Sequence, residues 1–453
     1  MSGHVGMSDL SPPTQRGYAR VQDNRKSGSL TPLFVLLAAA LLAGLGVMAY
    51  GQYRLLHQHS PHGPSDPEGR AHWLMSRFPL IDGHNDLAWQ YRKMRDGRVW
   101  SSPTFDLTTD CAAAGLQTDI PRLREGRVGG QFWSVFVLCG MPDAVRATIE
   151  EIDIVRSFVA KHSDTFQLAL TADDVEAAFA QGRIASLMGM EGGHSIDGSM
   201  AALRQFYQMG VRYLSLTHNC NNAWAESCCD DTNWTPASAF NVTGLTNTTG
   251  VNGPLFNGLQ VIREMNRLGM IVDLSHVSTQ TMLDALHITE APVMFSHSGV
   301  RALVPHQRNV PDEVIRLLAA NDGVQMIPFI SQFIVNATDP LAYSTAARVV
   351  DHMDYVRNLT GTTRHLGIGA DFEGDDGPEN FPVDLGNVSK YPVLIAEMLR
   401  RGYSDEDVVA IMGGNILRVM RAVEQSARTI AASAQPHQQE NRITAEYACR
   451  SDF

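Results

Sequence analysis

The stretch Pro79–Leu87 ends an apolar run with side chains that can bind a metal ion. Pro79–Ile81 has the composition of a buried strand, and His84 and Asp86 follow it two residues apart. In an extended strand end, side chains two positions apart project the same way. One imidazole and one carboxylate aimed together could form half of a divalent-metal site. The alternative is an ordinary turn, because a His-x-Asp pair also occurs by chance.

Polar residues also follow other apolar runs of the sequence. A histidine at the end of a single strand is usually a structural hydrogen-bonding group. Here a possible ligand recurs at the same place, directly after an apolar run where a predicted strand ends. This repetition favours a metal site over that interpretation. The residues are Glu191, His218, His276, His297 and Asp371.

The ligand types predict a zinc site that holds two ions. Imidazole and carboxylate groups without a thiolate fit zinc best, with manganese or iron as alternatives. One catalytic zinc usually takes three protein ligands and a water, and this set is larger. A bridging carboxylate would let two ions hold a hydroxide nucleophile between them, and Glu191, followed by Gly192 and Gly193, is the expected bridge. His218 and Asp371 then remain for proton transfer and for holding the substrate or its oxyanion.

Short apolar runs alternate with amphipathic segments along most of the chain. Buried strands that alternate with helices indicate a parallel sheet. Eight such runs predict an α/β fold, a (β/α)₈ TIM-type barrel with insertions, whose active site lies at the C-terminal strand ends. A doubly wound open sheet is the alternative. The predicted strands are Leu80–Ile81, Phe132–Val137, Ala185–Met190, Tyr213–Leu216, Met270–Leu274, Val293–Phe295, Val324–Ile330 and Leu366–Ala370. The clearest helices are Ala144–Ala160, Ser199–Met209, Gly258–Leu268, Ser278–His287 and Pro311–Ala320.

Composition divides the 453 residues into one large domain and shorter flanking segments. The run Leu33–Tyr50 is apolar and carries no charge. About 18 to 20 apolar residues cross a bilayer, so this run predicts a single transmembrane helix. Four basic residues shortly before it place the N-terminus in the cytoplasm and the barrel outside the cell; a cleaved signal peptide is the alternative. The net charge of −12 argues against a nucleic-acid-binding surface. The predicted segments are a disordered tail (1–31), the membrane span (32–50), a stalk (51–70), the barrel domain (71–432) and a C-terminal tail (433–453).

Glycosylation sequons and cysteines agree with an extracellular barrel. All six Asn-x-Ser/Thr sequons lie beyond the apolar span, as glycosylation outside the cytoplasm requires. All six cysteines also lie beyond it, where disulfides persist. The sequons begin at Asn233, Asn241, Asn247, Asn336, Asn358 and Asn387.

The order of the motifs resembles the membrane dipeptidase (renal-type) family, which lies within the metal-dependent amidohydrolase-like superfamily. The similarity covers Trp73–Arg421. It implies an ectoenzyme with a two-zinc barrel that hydrolyses dipeptides, including Cys-Gly products of glutathione metabolism. The motifs are Ile81-Asp-Gly-His-Asn-Asp-Leu87, Gly129-Gly-Gln-Phe-Trp-Ser134, Gly189-Met-Glu-Gly192, Leu216-Thr-His218, Asp273-Leu-Ser-His276, Phe295-Ser-His-Ser298, Arg308-Asn-Val-Pro311, Gly369-Ala-Asp-Phe372 and Gly413-Gly-Asn415.

The resemblance also assigns a role to each candidate residue. His218 matches a residue that contacts the substrate and steadies the transition state. Arg308 matches the guanidinium that receives the substrate carboxylate, a bidentate task for which lysine is less suited. Asp371 matches the acid that accepts a proton from the bridging water, with the substrate amine nearby. The five matched metal ligands are His84 and Asp86 for one zinc, Glu191 as the bridge, and His276 and His297 for the other.

The cysteines follow the family only in part. Cys139 and Cys220 match one family disulfide, whereas Val304 stands where the second would begin. Cys449 resembles a cysteine that links two subunits, which implies a homodimer that a disulfide could join. The hydrophobic tail of a C-terminal lipid anchor is missing, so the N-terminal span is expected to replace it. Two other functions remain open, namely the same metal site acting on another amide or lactam, and a non-catalytic cell-surface scaffold.

Overall fold

A computed structural model gives the fold of the barrel domain. The predicted tail and membrane span lie outside the described residues, as do Asn233, Asn241, Asn247 and Cys449. In the part of the chain that is described, no helix is both long and apolar enough to cross a membrane. The described residues are 63–95, 97–100, 106–109, 111, 115–229, 243–246, 257–336, 343–375 and 377–436.

Eight parallel strands close into a barrel. Their order around the ring follows the chain, and the last ring strand pairs back with the first. The predicted TIM-type barrel is therefore confirmed, and the open-sheet alternative is wrong. The strands, with β3 outside the ring, are β1 (Leu80–Asn85), β2 (Val128–Phe136), β3 (Phe166–Leu168), β4 (Ile184–Glu191), β5 (Val211–Ser215), β6 (Ile271–Asp273), β7 (Met294–Phe295), β8 (Val324–Ile327) and β9 (Leu366–Ile368).

Strand β3 is an addition that the sequence did not reveal. It pairs in parallel with residues 184–186 of β4, and β5 pairs with residues 188–191 of the same strand. Because β2 takes the other edge of β4, β3 and β5 share one edge between them. A strand of three residues is too short to produce a detectable alternation of apolar and polar side chains.

Helices follow most strands and keep the connections between parallel neighbours long enough to cross over. The first helix of the described residues, Pro67–Met75, begins within the predicted stalk, because Asp66 accepts a hydrogen bond from the Gly69 amide and Pro67 opens the first turn. The other α-helices in the described part of the chain are Leu87–Arg95, Ile120–Glu125, Ala144–Lys161, Ala172–Ala180, Met200–Met209, Gly258–Leu268, Thr279–Ile288, Asp312–Ala320, Ser331–Ile334, Ala346–Thr360, Tyr391–Arg400, Asp405–Val409 and Asn415–Ala431. A π-helical turn spans Ala410–Gly414, and 3₁₀ turns span Gly193–Ile196, Pro378–Asn380 and Val388–Lys390.

The interior of the barrel is packed, and it contains the side chain of one tyrosine of strand β5. Tyr213 is fully buried, and its ring lies against the backbone of Gly189 on the neighbouring strand β4. A Cβ atom at position 189 would lie 1.9 Å from Cζ of Tyr213, so only glycine leaves room for this ring. The small residue on β4 therefore fixes where the phenol of β5 can lie.

Disulfides join segments near the C-terminal ends of the strands. The predicted Cys139–Cys220 bond is present, with the two Cα atoms 6.2 Å apart, and it ties the segment after β2 to the segment after β5. Cys228 and Cys229 are bonded to each other, whereas Cys111 is a buried free cysteine. Of the described sequon residues, Asn358 is exposed and Asn336 and Asn387 are half-buried.

Candidate active site

All of the predicted metal ligands lie at the C-terminal ends of barrel strands, as do His218 and Asp371. His84 is near the end of β1 and Asp86 directly follows that strand, while Glu191 is the last residue of β4. His218, His276, His297 and Asp371 lie in the first residues after β5, β6, β7 and β9. Closure of the barrel therefore brings together side chains that are far apart in the sequence.

Glu191 lies between two groups of metal-binding side chains. Its Oε2 atom is 3.4 Å from His84 Nε2, which in turn is 3.2 Å from a carboxylate oxygen of Asp86. Its Oε1 atom is 2.9 Å from His276 Nε2 and 3.4 Å from His297 Nε2. Each oxygen of one carboxylate thus faces a different group, which is the geometry of a bridging ligand.

Hydrogen bonds on the far side of two imidazoles fix which nitrogen faces Glu191. The Tyr213 hydroxyl donates to the Gly83 carbonyl (3.2 Å), so it accepts from His84 Nδ1–H at 2.8 Å. The Ser296 hydroxyl donates to Asp273 (2.6 Å), so it accepts from His297 Nδ1–H at 2.8 Å. In both rings the Nε2 lone pair is therefore left for a metal ion.

The third imidazole follows the same pattern. The side-chain oxygen of Asn219 accepts a hydrogen bond from His276 Nδ1–H at 2.9 Å. The unprotonated Nε2 atoms of His276 and His297 then lie only 3.0 Å apart, a contact that a cation between them would stabilise. Nε2 of His84 and Oδ1 of Asp86 are buried without a hydrogen-bond partner among the described residues. These donor atoms fit a pair of bound metal ions.

Electrostatics favour positive charge at the centre of the site. Burial opposes protonation of His84, but the nearby Tyr213, Glu191 and Asp86 outweigh it and raise the pKa of His84 well above its usual value. Burial alone would raise the pKa of Glu191, yet the positive charge of His84 outweighs it and holds the pKa of Glu191 well below its usual value. The site thus keeps a carboxylate charge that a bound cation can neutralise.

The remaining groups are imidazoles with lowered pKa values and one acid whose pKa is raised. Burial, together with nearby Arg308, lowers the pKa of His276 well below its usual value, and burial lowers that of His218 to about 4. Burial, with the charges of Asp86 and Glu191, raises the pKa of Asp371 well above its usual value. His276 and Asp371 also have left-handed backbone conformations, with φ of 68° and 67°.

A cavity of about 410 Å³ opens over these groups, a volume suited to a small ligand. Arg308 is 3% exposed; its guanidinium lies 3.1 Å from His276 Nε2 and donates to Ser298 Oγ (3.2 Å). Asp371 lies near the other group of metal-binding side chains, 3.9 Å from His84 Nε2. The cavity is lined by Asp86, Trp89, Phe136, Glu191, His218, Asn219, Cys229, His276, His306, Arg308, Ile330, Gln332, Phe333, Asp371, Gly374 and Asp375.

All eight predicted site residues therefore meet in one place, with His84 and His297 buried behind the cavity wall. Sequence reasoning missed the groups that orient the imidazoles. Asn219 and Ser296 are adjacent in sequence to predicted residues, so their position was a usable signal. Tyr213 gave none, because it lies inside an apolar strand and its role depends on the glycine of the next strand.

Comparisons with known proteins agree with this geometry. The family described as membrane dipeptidase (peptidase family M19) matches residues 68–434. An uncharacterized dipeptidase of Schizosaccharomyces pombe is 37% identical over 423 residues, which are 90% of this chain and 94% of that protein.

Solved structures show the same fold. The probable dipeptidase PvdM of Pseudomonas aeruginosa has a TM-score of 0.67 at 21% identity, over 80% of this chain and 99% of its own. A metallopeptidase of Rhodobacter sphaeroides, solved with a phosphinate mimic of L-Ala-D-Ala, has a TM-score of 0.63 at 22% identity, over 76% and 99%. The family match covers the whole barrel and every residue of the site. The chain therefore belongs to the membrane dipeptidase family, peptidase family M19, a family of metallopeptidases.

Proposed function

We propose that the protein is a two-zinc dipeptidase that hydrolyses the peptide bond of dipeptides. The observation that carries this proposal is Glu191, whose two oxygens face two groups of metal-binding side chains. His84 and Asp86 would hold one ion with Glu191, and His276 and His297 would hold the other. The ligand set contains nitrogen and oxygen but no sulfur, which fits zinc.

The chain supplies a proton acceptor and an oxyanion donor around the scissile bond. Zinc bound at these positions would lower the pKa of a water molecule and polarise the peptide carbonyl. Asp371 is placed to accept the proton of that water, because it lies beside His84 and its pKa is raised by burial. The low pKa of His218 keeps this ring neutral, so that its N–H can donate to the developing oxyanion.

The charges of the cavity match a dipeptide zwitterion. Arg308 is placed to bind the substrate carboxylate through two parallel hydrogen bonds, as a planar guanidinium can. Asp371, beside His84, would bind the substrate amine. The family extends the proposed substrates to Cys-Gly products of glutathione breakdown.

Metal content and hydrolysis, measured on the same preparations, test this proposal. The full-length protein should contain two zinc ions per chain and hydrolyse dipeptides. Glu191→Gln should lose metal and hydrolysis together, because an amide cannot bridge two cations as a carboxylate does. Glu290→Gln changes an exposed glutamate outside the cavity and should behave as the wild type. Full activity in Glu191→Gln, or an active wild-type protein without metal, would sink the proposal.

The proposal extends to the location of the enzyme. The apolar span 32–50 would anchor the chain with its N-terminus in the cytoplasm and the barrel outside the cell. The basic residues before the span, the sequons beyond it and the Cys139–Cys220 disulfide support this arrangement. On intact cells, a protease should reach the barrel, and an endoglycosidase should reduce its mass. A barrel protected in intact cells would contradict the orientation.

The expected assembly is a homodimer linked through Cys449. A non-reducing gel should show a dimer for the wild-type protein and a monomer for Cys449→Ser. A dimer band that persists in Cys449→Ser would show that another cysteine forms the link.

A further inference from the structure

The adjacent cysteines Cys228 and Cys229 lie at the edge of the active-site cavity. They are bonded to each other, and Cys229 forms part of the cavity wall together with His218, His276 and Asn219. The mechanism proposed above uses neither sulfur atom. A disulfide that faces the same space as the substrate is therefore an unassigned reactive group.

Backbone hydrogen bonds hold this pair against two residues of the site. The amide of Cys228 donates to the His276 carbonyl at 2.8 Å. The amide of Cys229 donates to Ser227 Oγ at 3.2 Å, and the Ser227 hydroxyl donates to the His218 carbonyl at 2.6 Å. The pair is therefore fixed in place beside the proposed zinc ligand and the proposed oxyanion donor.

The two disulfides of the described chain differ in their accessibility. Cys139 and Cys220 are only 7% and 2% exposed, whereas Cys228 and Cys229 are both half-buried. Exchange requires a thiolate to reach one sulfur of the disulfide, so accessibility decides which bond reacts. The Cys139–Cys220 bond is therefore an internal control for a reaction of the Cys228–Cys229 bond.

We infer that the Cys228–Cys229 disulfide is a covalent docking site for small zwitterionic thiols that enter the cavity. The thiolate of the ligand attacks Sγ of Cys229, the bond between the two cysteines breaks, and Cys228 leaves as a thiolate that takes a proton from water. Attack by Cys228 on the mixed disulfide restores the original bond. Attack by a second ligand thiolate instead leaves both cysteines reduced and releases the ligand as its own disulfide.

The charges of the cavity define the class of ligand. Arg308, near His276, suits a carboxylate, and Asp371, near His84, suits an amine, so a thiol that carries both groups is favoured over a neutral one. This preference rests on the substrate orientation of the proposed function, but the thiol–disulfide exchange itself needs no hydrolysis. A failed exchange would therefore leave the dipeptidase proposal intact, and an inactive protein could still show the exchange.

Differential alkylation and mass spectrometry of the metal-loaded, full-length protein test the inference. Without added thiol, the denatured protein should resist maleimide at Cys228 and Cys229, as expected for bonded cysteines. After native incubation with L-cysteine, one cysteinyl adduct should appear on Cys229 and maleimide on Cys228, with Cys139 and Cys220 unlabelled. Two results would overturn the inference. One is alkylation of Cys228 and Cys229 before thiol is added, and the other is opening of their bond no faster than that of the Cys139–Cys220 bond.

Two comparisons show whether the cavity directs the reaction. L-cysteine should open the pair faster than 2-mercaptoethanol does, after each rate is divided by that thiol's rate with a small soluble disulfide. In single variants treated with cystine, Cys229 of Cys228→Ser should gain the adduct faster than Cys228 of Cys229→Ser. Equal normalised rates, or equal labelling of the two variants, would place the reaction on the outer surface and overturn the assignment to the cavity.

Discussion

At the scale of single residues, the site is prepared by the groups behind its ligands. Each of three imidazoles donates its Nδ1–H to a different acceptor, so that Nε2 faces the centre before any ion binds. The acceptors are the Tyr213 hydroxyl, the Asn219 amide oxygen and the Ser296 hydroxyl. Partners of this kind hold a ligand ring in one orientation and make it a stronger base.

Tyr213→Phe should weaken metal binding although it removes none of the proposed ligand residues. The change removes the only oxygen of the side chain, so His84 Nδ1–H loses its acceptor and the ring loses its orientation. Outer-sphere changes of this kind reduce metal affinity by about 10- to 100-fold. Competition with a chelator measures this affinity, and Tyr355→Phe, which breaks a hydrogen bond to Asp312 away from the cavity, is the control. Equal affinities in the two variants would contradict the role of Tyr213.

Arg308→Lys should raise KM for dipeptides with little change in metal content. Lysine keeps the positive charge but cannot form two parallel hydrogen bonds with a carboxylate. Loss of one hydrogen bond to a charged group is worth about 1.5–3 kcal/mol, which corresponds to an increase of about 10- to 100-fold in KM. Steady-state kinetics check this, with Arg316→Lys, an exposed arginine, as the matched control. An unchanged KM would remove Arg308 from substrate binding.

At the scale of elements, apolar runs predicted the eight barrel strands because a parallel sheet is buried on both faces. Their C-terminal ends then predicted the ligands, since these ends meet on one face of the barrel. Strand β3 stayed hidden because Phe166–Leu168 is too short to show a period. Tyr213 stayed hidden because its function depends on a neighbour, Gly189, that only the register of β4 and β5 reveals.

Gly189→Ala should disturb the site from within the barrel. The added methyl group would lie 1.9 Å from Cζ of Tyr213, so the ring must move and with it the hydrogen bond to His84. Overpacking of this kind destabilises a core by about 1–3 kcal/mol. Urea denaturation and metal titration should both show a loss. Gly386→Ala, whose new atom would meet nothing closer than a carbonyl oxygen at 4.0 Å, should show neither.

At the scale of the whole molecule, a buried acid outside the site makes stability depend on pH. Glu151 is fully buried on the helix Ala144–Lys161, and burial raises its pKa to about 8. The guanidinium of Arg92, 3.4 Å away, lowers this pKa but does not offset the burial. The folded protein therefore keeps a proton over a pH range in which the unfolded chain, with a pKa of about 4.3, has released it.

The free energy of unfolding should consequently fall as pH rises between these two values, by up to about 1.4 kcal/mol per pH unit from this group. Glu151→Gln removes the titration, so its stability relative to the wild type should increase from pH 5 to pH 8. Urea denaturation at several pH values measures the difference. Glu150→Gln, a half-exposed neighbour that also contacts Arg92, should not reproduce it. A difference that does not change with pH would show that Glu151 is ionised throughout.

The left-handed backbone at His276 and Asp371 restricts how this sequence can change over evolution. Histidine and aspartate enter that region more readily than most residues other than glycine, whereas bulky and β-branched residues are outliers there. The two positions are thus constrained twice, by the chemistry of the side chain and by the shape of the main chain. Loss of the chemical requirement alone would therefore admit asparagine or glycine at these positions, but not bulky or β-branched residues.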